Sequence, residues 1–137
     1  MTGLTIGKVA RRAGVGIETV RFYERQGLID EPPRAASGYR HYPEDVVARL
    51  EFIRRAKQLG FSLGQIKELL TLRVEPSATC SDVKRRVDAK MADVEDKIRE
   101  LQRIKRALNK LGRSCSGKGP IQECPILHAL DHKEKKR

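Results

Sequence analysis

A chain of 137 residues with 39% hydrophobic side chains has room for one ordinary domain and a little more. Its formal net charge of +11 points to a polyanionic partner, most simply nucleic acid. The sequence offers no signal peptide or membrane span, no paired carboxylates, no nucleophile–base set and no phosphate loop, so a cytoplasmic protein without enzymatic activity or membrane contact is expected.

From the N-terminus, Thr5 can cap a short helix carrying Ile6, Val9, Ala10 and Arg12, which Gly14 breaks. Val15-Gly16 leads into a second helix of about Ile17 to Gln26. Ala10, Gly14 and Val20 have the spacing of a helix-turn-helix: a small residue for close packing, a glycine turn and an apolar lock. The second helix is expected to expose Glu18, Thr19, Arg21, Tyr23 and Arg25 and to keep Val20 and Phe22 for packing. Several cationic and hydrogen-bonding groups on one helix suit the major groove.

Asp30-Glu31-Pro32-Pro33 stops helical structure. The next nine residues, Arg34 to Tyr42, read as a two-stranded wing turning at Ser37-Gly38. In it Arg34, Tyr39 and Arg40 can grip phosphates or enter the minor groove, Tyr42 packs inward, and His41 is a polar wing residue. Pro43 fits the first turn of a third helix through Val46, Val47, Leu50, Phe52, Ile53 and Ala56, ended by Gly60. Ser62 and Gln65 form a capping-box pair opening a fourth helix through Ile66, Leu69 and Leu70. Residues 1–72 thus read as a winged helix-turn-helix head and 73–79, broken by Pro76, as a hinge.

A long helix follows over 80–112. Thr79 suits its N-cap, with Asp82 reaching back as in a capping box, and Gly112 is placed to end it. Val83, Val87, Met91, Val94, Ile98, Leu101, Ile104, Leu108 and Leu111 recur at alternating steps of about three and four, the a/d seam of a coiled coil. One seam on one helix lacks a partner, so a homodimer is expected. The three cysteines sit at its two ends: Cys80 in the first turn, Cys115 and Cys124 beyond the last. At about 1.5 Å rise per residue such a helix is roughly 45–50 Å long. An antiparallel dimer brings the partner's Cys80 to Cys115 and Cys124, giving two three-thiol sites.

Residues 113–131 read as a Gly-rich loop and a short helix in which Pro125 makes Cys124 the N-cap. Residues 132–137 form a basic tail that adds unspecific attraction to polyanions. An odd cysteine count in a reducing compartment argues against disulfides, and no Cys-x-x-Cys pair suggests a zinc finger. Three soft thiolates without an obvious fourth ligand suit Hg(II) or Pb(II) and tolerate Cd(II), whereas zinc prefers four ligands. His128 and His132 could add a ligand but read first as surface histidines.

The run Thr19-Val20-Arg21-Phe22-Tyr23-Glu24-Arg25-Gln26-Gly27-Leu28-Ile29, the wing Ser37-Gly38-Tyr39-Arg40-His41-Tyr42 and the stretch Gln58-Leu59-Gly60-Phe61-Ser62-Leu63 resemble the MerR family of transcriptional regulators. The likeness extends over roughly Leu4 to Leu130. It implies a mostly α fold: a winged helix-turn-helix head, a long antiparallel coiled-coil dimerisation helix, and a C-terminal metal-binding loop with a short helix. It also implies binding to double-stranded promoter DNA whose two recognition elements are spaced too far apart. Effector binding would bend and untwist that DNA for RNA polymerase, and the effector-free dimer would repress. By position, Arg21 and Tyr23 would contact DNA from the recognition helix, and Arg40 with Tyr39 from the wing. Cys80, Cys115 and Cys124 match the thiols of the family's mercury sensors. Its copper(I) sensors carry serine in place of Cys80. Its zinc sensors add a cysteine at the place of Ser114 and a histidine near Gly119, both missing here. The function implied is a repressor/activator of a heavy-metal resistance promoter, sensing a soft divalent metal, Hg(II) first. A Pb(II), Cd(II) or Zn(II) sensor, or a thiol-redox-sensing regulator, is the alternative.

Overall fold

The computed structural model describes residues 3–33 and 41–131. Arg34, Tyr39, Arg40 and the expected wing turn lie outside the described residues, as do His132 and the basic tail. The described chain is helical: α1 (Ile6–Ala13), α2 (Ile17–Arg25), α3 (Asp45–Gln58), α4 (Leu63–Val74), α5 (Cys80–Arg113) and α6 (Pro125–Asp131), with a 3-10 turn over Ile121–Glu123. Among the described residues, the extended pairing is an isolated antiparallel bridge in which Leu4 and Tyr42 exchange backbone hydrogen bonds of 2.9 and 2.7 Å. The chain divides into two compact units, residues 1–86 and 87–137.

The first unit is built from local signals that the sequence displays openly. Thr5 caps α1 by accepting the Lys8 N–H at 3.3 Å. Gly14 ends α1 at φ 74°, a conformation that favours glycine, and a Cβ there would lie 3.0 Å from the Arg54 guanidinium. Ser62 and Gln65 form both hydrogen bonds of the capping box on α4, at 2.8 and 3.2 Å. Helices α1, α2, α3 and α4 close over one core in which Val9, Val20, Leu50, Ile53 and Ile66 are fully buried. Ala10 and Val20 pack there as the helix-turn-helix spacing requires. Tyr42 packs inward as expected, its hydroxyl donating to the Glu24 carboxylate.

The expected hinge over 73–79 is shorter in structured terms. Arg73 and Val74 remain in α4, and the Arg73 guanidinium lies 5.4 Å from the centre of the Phe52 ring. The connection is Glu75 to Thr79, folded by the Ser77 hydroxyl donating to Glu75 at 2.8 Å. Thr79 and Asp82 then cap α5 reciprocally. The Thr79 N–H donates to Asp82 Oδ2 at 2.8 Å, and the Asp82 N–H donates to Thr79 Oγ1 at 3.3 Å. The Thr79 amide holds the Asp82 carboxyl below its ordinary pKa, with Arg85 adding to the shift. Arg86 pairs with Glu68 on α4, which is why the first compact unit takes in the start of α5.

Gly112 does not end the helix. It stays helical, α5 runs to Arg113, and the Ser114 hydroxyl closes the end by donating to the Leu111 carbonyl at 2.6 Å. A glycine ends a helix when it turns left-handed, and Gly112 lacks that positive φ. Along α5 no residue is buried, and the seam from Val83 to Leu108 stands open to solvent.

Candidate DNA face and thiol site

Helix α2 begins after Gly16 with Glu18 in its first turn, an acid at the positive end of the helix dipole. Arg21 is exposed, its guanidinium 3.7 Å from Glu18 one turn back, and Thr19 is half-buried. Two expectations for this helix are reversed. Tyr23, placed on the exposed face by sequence, is buried at 6% exposure, and Phe22, reserved for packing, is exposed at 37%. The reason is helical phase. Val20 is fully buried, and the residue three positions on shares its face, whereas the residue two positions on points away. Burial pushes the Tyr23 phenol up from its ordinary pKa. The Tyr23 ring therefore belongs to the core and is withdrawn from the exposed face. Behind α2, Gly27 turns at φ 79° and Arg49 donates to the Leu28 carbonyl at 2.8 Å, fixing the chain where it leaves the helix.

The cysteines are all free thiols. Cys80 is the exposed first residue of α5, immediately after the Thr79 cap. Cys115 and Cys124 are half-buried in the second unit. The sulfur of Cys115 accepts the Gly117 N–H at 3.3 Å, across a turn in which Gly117 has φ 88°. Cys124 is extended and stands directly before Pro125, as the sequence indicates, and its carbonyl accepts the His128 N–H at 3.1 Å. His128 Nε2 lies 3.0 Å from the Gln122 carbonyl, a contact that holds the turn and that no sequence signal announced. Among the described residues, no three Cys, His, Asp or Glu side chains lie together as a metal cluster. The donor set nevertheless fits a soft metal: three thiol sulfurs, none locked in a disulfide.

A pair of short helices joined at Gly14, with cations on the open side of the second, defines a helix-turn-helix regulator. Comparison with known proteins agrees. The profile described as "MerR HTH family regulatory protein" matches residues 4–72, and that described as "MerR, DNA binding" matches residues 47–111. The mercuric resistance operon regulatory protein of Bacillus cereus is 43% identical over 91% of this chain and 95% of its own length. The HTH-type transcriptional regulator ZntR of Escherichia coli K12 is 41% identical over 92% and 91%. The crystal structure of the regulator PbrR691 from Ralstonia metallidurans CH34, in complex with lead(II), superposes with a TM-score of 0.84. It shares 40% identity and covers 93% of this chain and 98% of that one. The chain belongs to the MerR family of helix-turn-helix transcriptional regulators. No described helix is long and apolar enough to cross a membrane.

Proposed function

We propose that the chain is a homodimeric, metal-responsive repressor/activator of a heavy-metal resistance promoter. It would bind double-stranded promoter DNA through α2 and the wing, with Arg21 and Thr19 on the helix and Arg34, Tyr39 and Arg40 from the wing. Cys80 of one chain with Cys115 and Cys124 of the other would hold a soft divalent metal, Hg(II) first. The observation that carries this reading is the placement of three free thiols at opposite ends of one uninterrupted 34-residue helix with an open apolar seam. At about 1.5 Å per residue such a helix is roughly 51 Å long, so one chain's Cys80 cannot meet its own Cys115.

Charge supports the antiparallel arrangement. Residues 80–96 carry five acids and four bases, net −1, and residues 97–113 carry one acid and seven bases, net +6. Parallel pairing stacks the two basic halves, while antiparallel pairing sets each beside the near-neutral half of the partner. In this reading the 1–72 head binds DNA, 80–112 dimerises, and 113–131 contributes Cys115 and Cys124.

Cys80, Cys115 and Cys124 would hold the soft metal through their thiolates, and its bonds would link the two chains. The chain's own residues then couple this site to DNA. The Thr79–Asp82 cap fixes the helix start around Cys80 and the Glu68–Arg86 pair ties α5 to α4, so a shift at Cys80 would be carried into the head. RNA polymerase would read the resulting change in the promoter.

Pb(II) is the second reading, because a relative with a TM-score of 0.84 was solved with lead(II). Titration of the reduced dimer with Hg, Pb, Cd, Zn and Cu(I) salts, beside a promoter reporter, tests the proposal. Tight binding and induction by Hg(II) without oxidant are expected; induction by oxidant alone replaces it with thiol-redox sensing.

A further inference from the structure

Helix α2 exposes two large apolar side chains, Ile17 and Phe22. Phe22 lies with Glu18, Arg21 and Arg25 on one face, at spacings of three, one and three residues. It is absent from the residues that pack the core. Two side chains of the same helix lie beside its ring. The Tyr23 ring lies 5.8 Å away, tilted by 52°, and the Arg25 guanidinium sits 5.9 Å from its centre. An aromatic ring open to water and flanked by cations is suited to pack against an apolar group on a polyanion.

We propose that Phe22 determines sequence specificity by packing against the C5-methyl group of a thymine in the major groove. The inference rests on the reading of α2 as the recognition helix. A phenyl ring has no hydrogen-bonding atom, so it cannot distinguish donor and acceptor patterns on base edges. The thymine methyl is the apolar feature that the four base pairs offer in that groove. Arg25 adds electrostatic attraction, Arg21 hydrogen-bonds at its own base position, and the ring supplies the discrimination at the thymine.

The test uses the full-length protein and the duplex it selects from a random library, with affinity read by fluorescence anisotropy at fixed salt. Thymines are replaced one at a time by deoxyuridine, which removes only the methyl group. Wild-type protein should lose about fourfold in affinity at one thymine of each half-site, the worth of one buried methyl. Phe22→Ala should bind the thymine and uracil duplexes equally, and Phe22→Leu should keep part of the discrimination. Helical content and dimer mass should match wild type in both variants, since the side chain is outside the core. Indifference of wild type to every methyl, or an unchanged thymine/uracil ratio in Phe22→Ala, overturns the proposal. Arg21→Ala separates the two levels. If it binds like wild type, or if the library yields no enriched sequence, the assignment of α2 fails and Phe22 with it. If binding needs Arg21 but ignores the methyl, only the role of Phe22 fails.

Discussion

Replacing Leu101 by Asp should break the dimer. Leu101 is 63% exposed in the single chain, the most open position on the seam. Full burial of a leucine contributes about 2 kcal/mol, so covering this exposed share gives roughly 1.3 kcal/mol per copy. In a twofold-symmetric dimer the substitution occurs twice, which brings the loss to about 2.6 kcal/mol, close to a hundredfold in the dissociation constant. Desolvation of two carboxylates inside the interface adds to that figure. Sedimentation velocity across a dilution series measures the effect, with Leu101→Ala as a control. The alanine variant should fall between wild type and Leu101→Asp, because it loses the packing without burying a charge. An undiminished dimer in Leu101→Asp would mean that α5 pairs through another face, and the seam assignment would be wrong.

Arg21→Ala should cost about 1–3 kcal/mol on the selected duplex and relax the preference at one base position, as measured by competition against single-base variants. Arg40→Ala should weaken all sequences alike and lower the salt slope of binding by about one unit, the mark of a lost phosphate contact. The Asp82 carboxyl sits below its ordinary value of 3.8, so its cap stabilises α5 above the unfolded pKa and fades as acid protonates it. Denaturant unfolding followed between about pH 6 and pH 2 should therefore show a shallower acid loss in Asp82→Asn than in wild type.

The parts of the fold that could be read directly are those fixed by near neighbours. Thr5, Gly14, Ser62 with Gln65, and Thr79 with Asp82 each act within four residues, and each cap forms where its sequence places it. The exchange of Tyr23 and Phe22 was not legible in the same way. Three apolar or aromatic residues at 20, 22 and 23 leave the inward face of a nine-residue helix ambiguous until Val20 is buried in the core. Gly112 differs from the sequence expectation because a terminating glycine is defined by a left-handed backbone, which composition does not reveal. The cysteines were legible as a set, since their chemistry and spacing along one helix survive without coordinates. The contacts of Cys115 with Gly117 and of His128 with Gln122 depend on a loop path that no periodicity encodes.

The sharing of the metal site between chains decides the whole scheme, and mixing two defective variants measures it directly. Cys80→Ser homodimers should lose tight Hg(II) binding, as should Cys115→Ser/Cys124→Ser homodimers. In a heterodimer of the two, the intact Cys80 faces the intact loop, and one site regains all three thiols while the other has none. Titration of the isolated heterodimer should restore tight binding of about one metal ion per dimer, as an isologous two-site dimer requires. No recovery in a verified heterodimer would place the site within a single chain and contradict the antiparallel, shared-thiol arrangement.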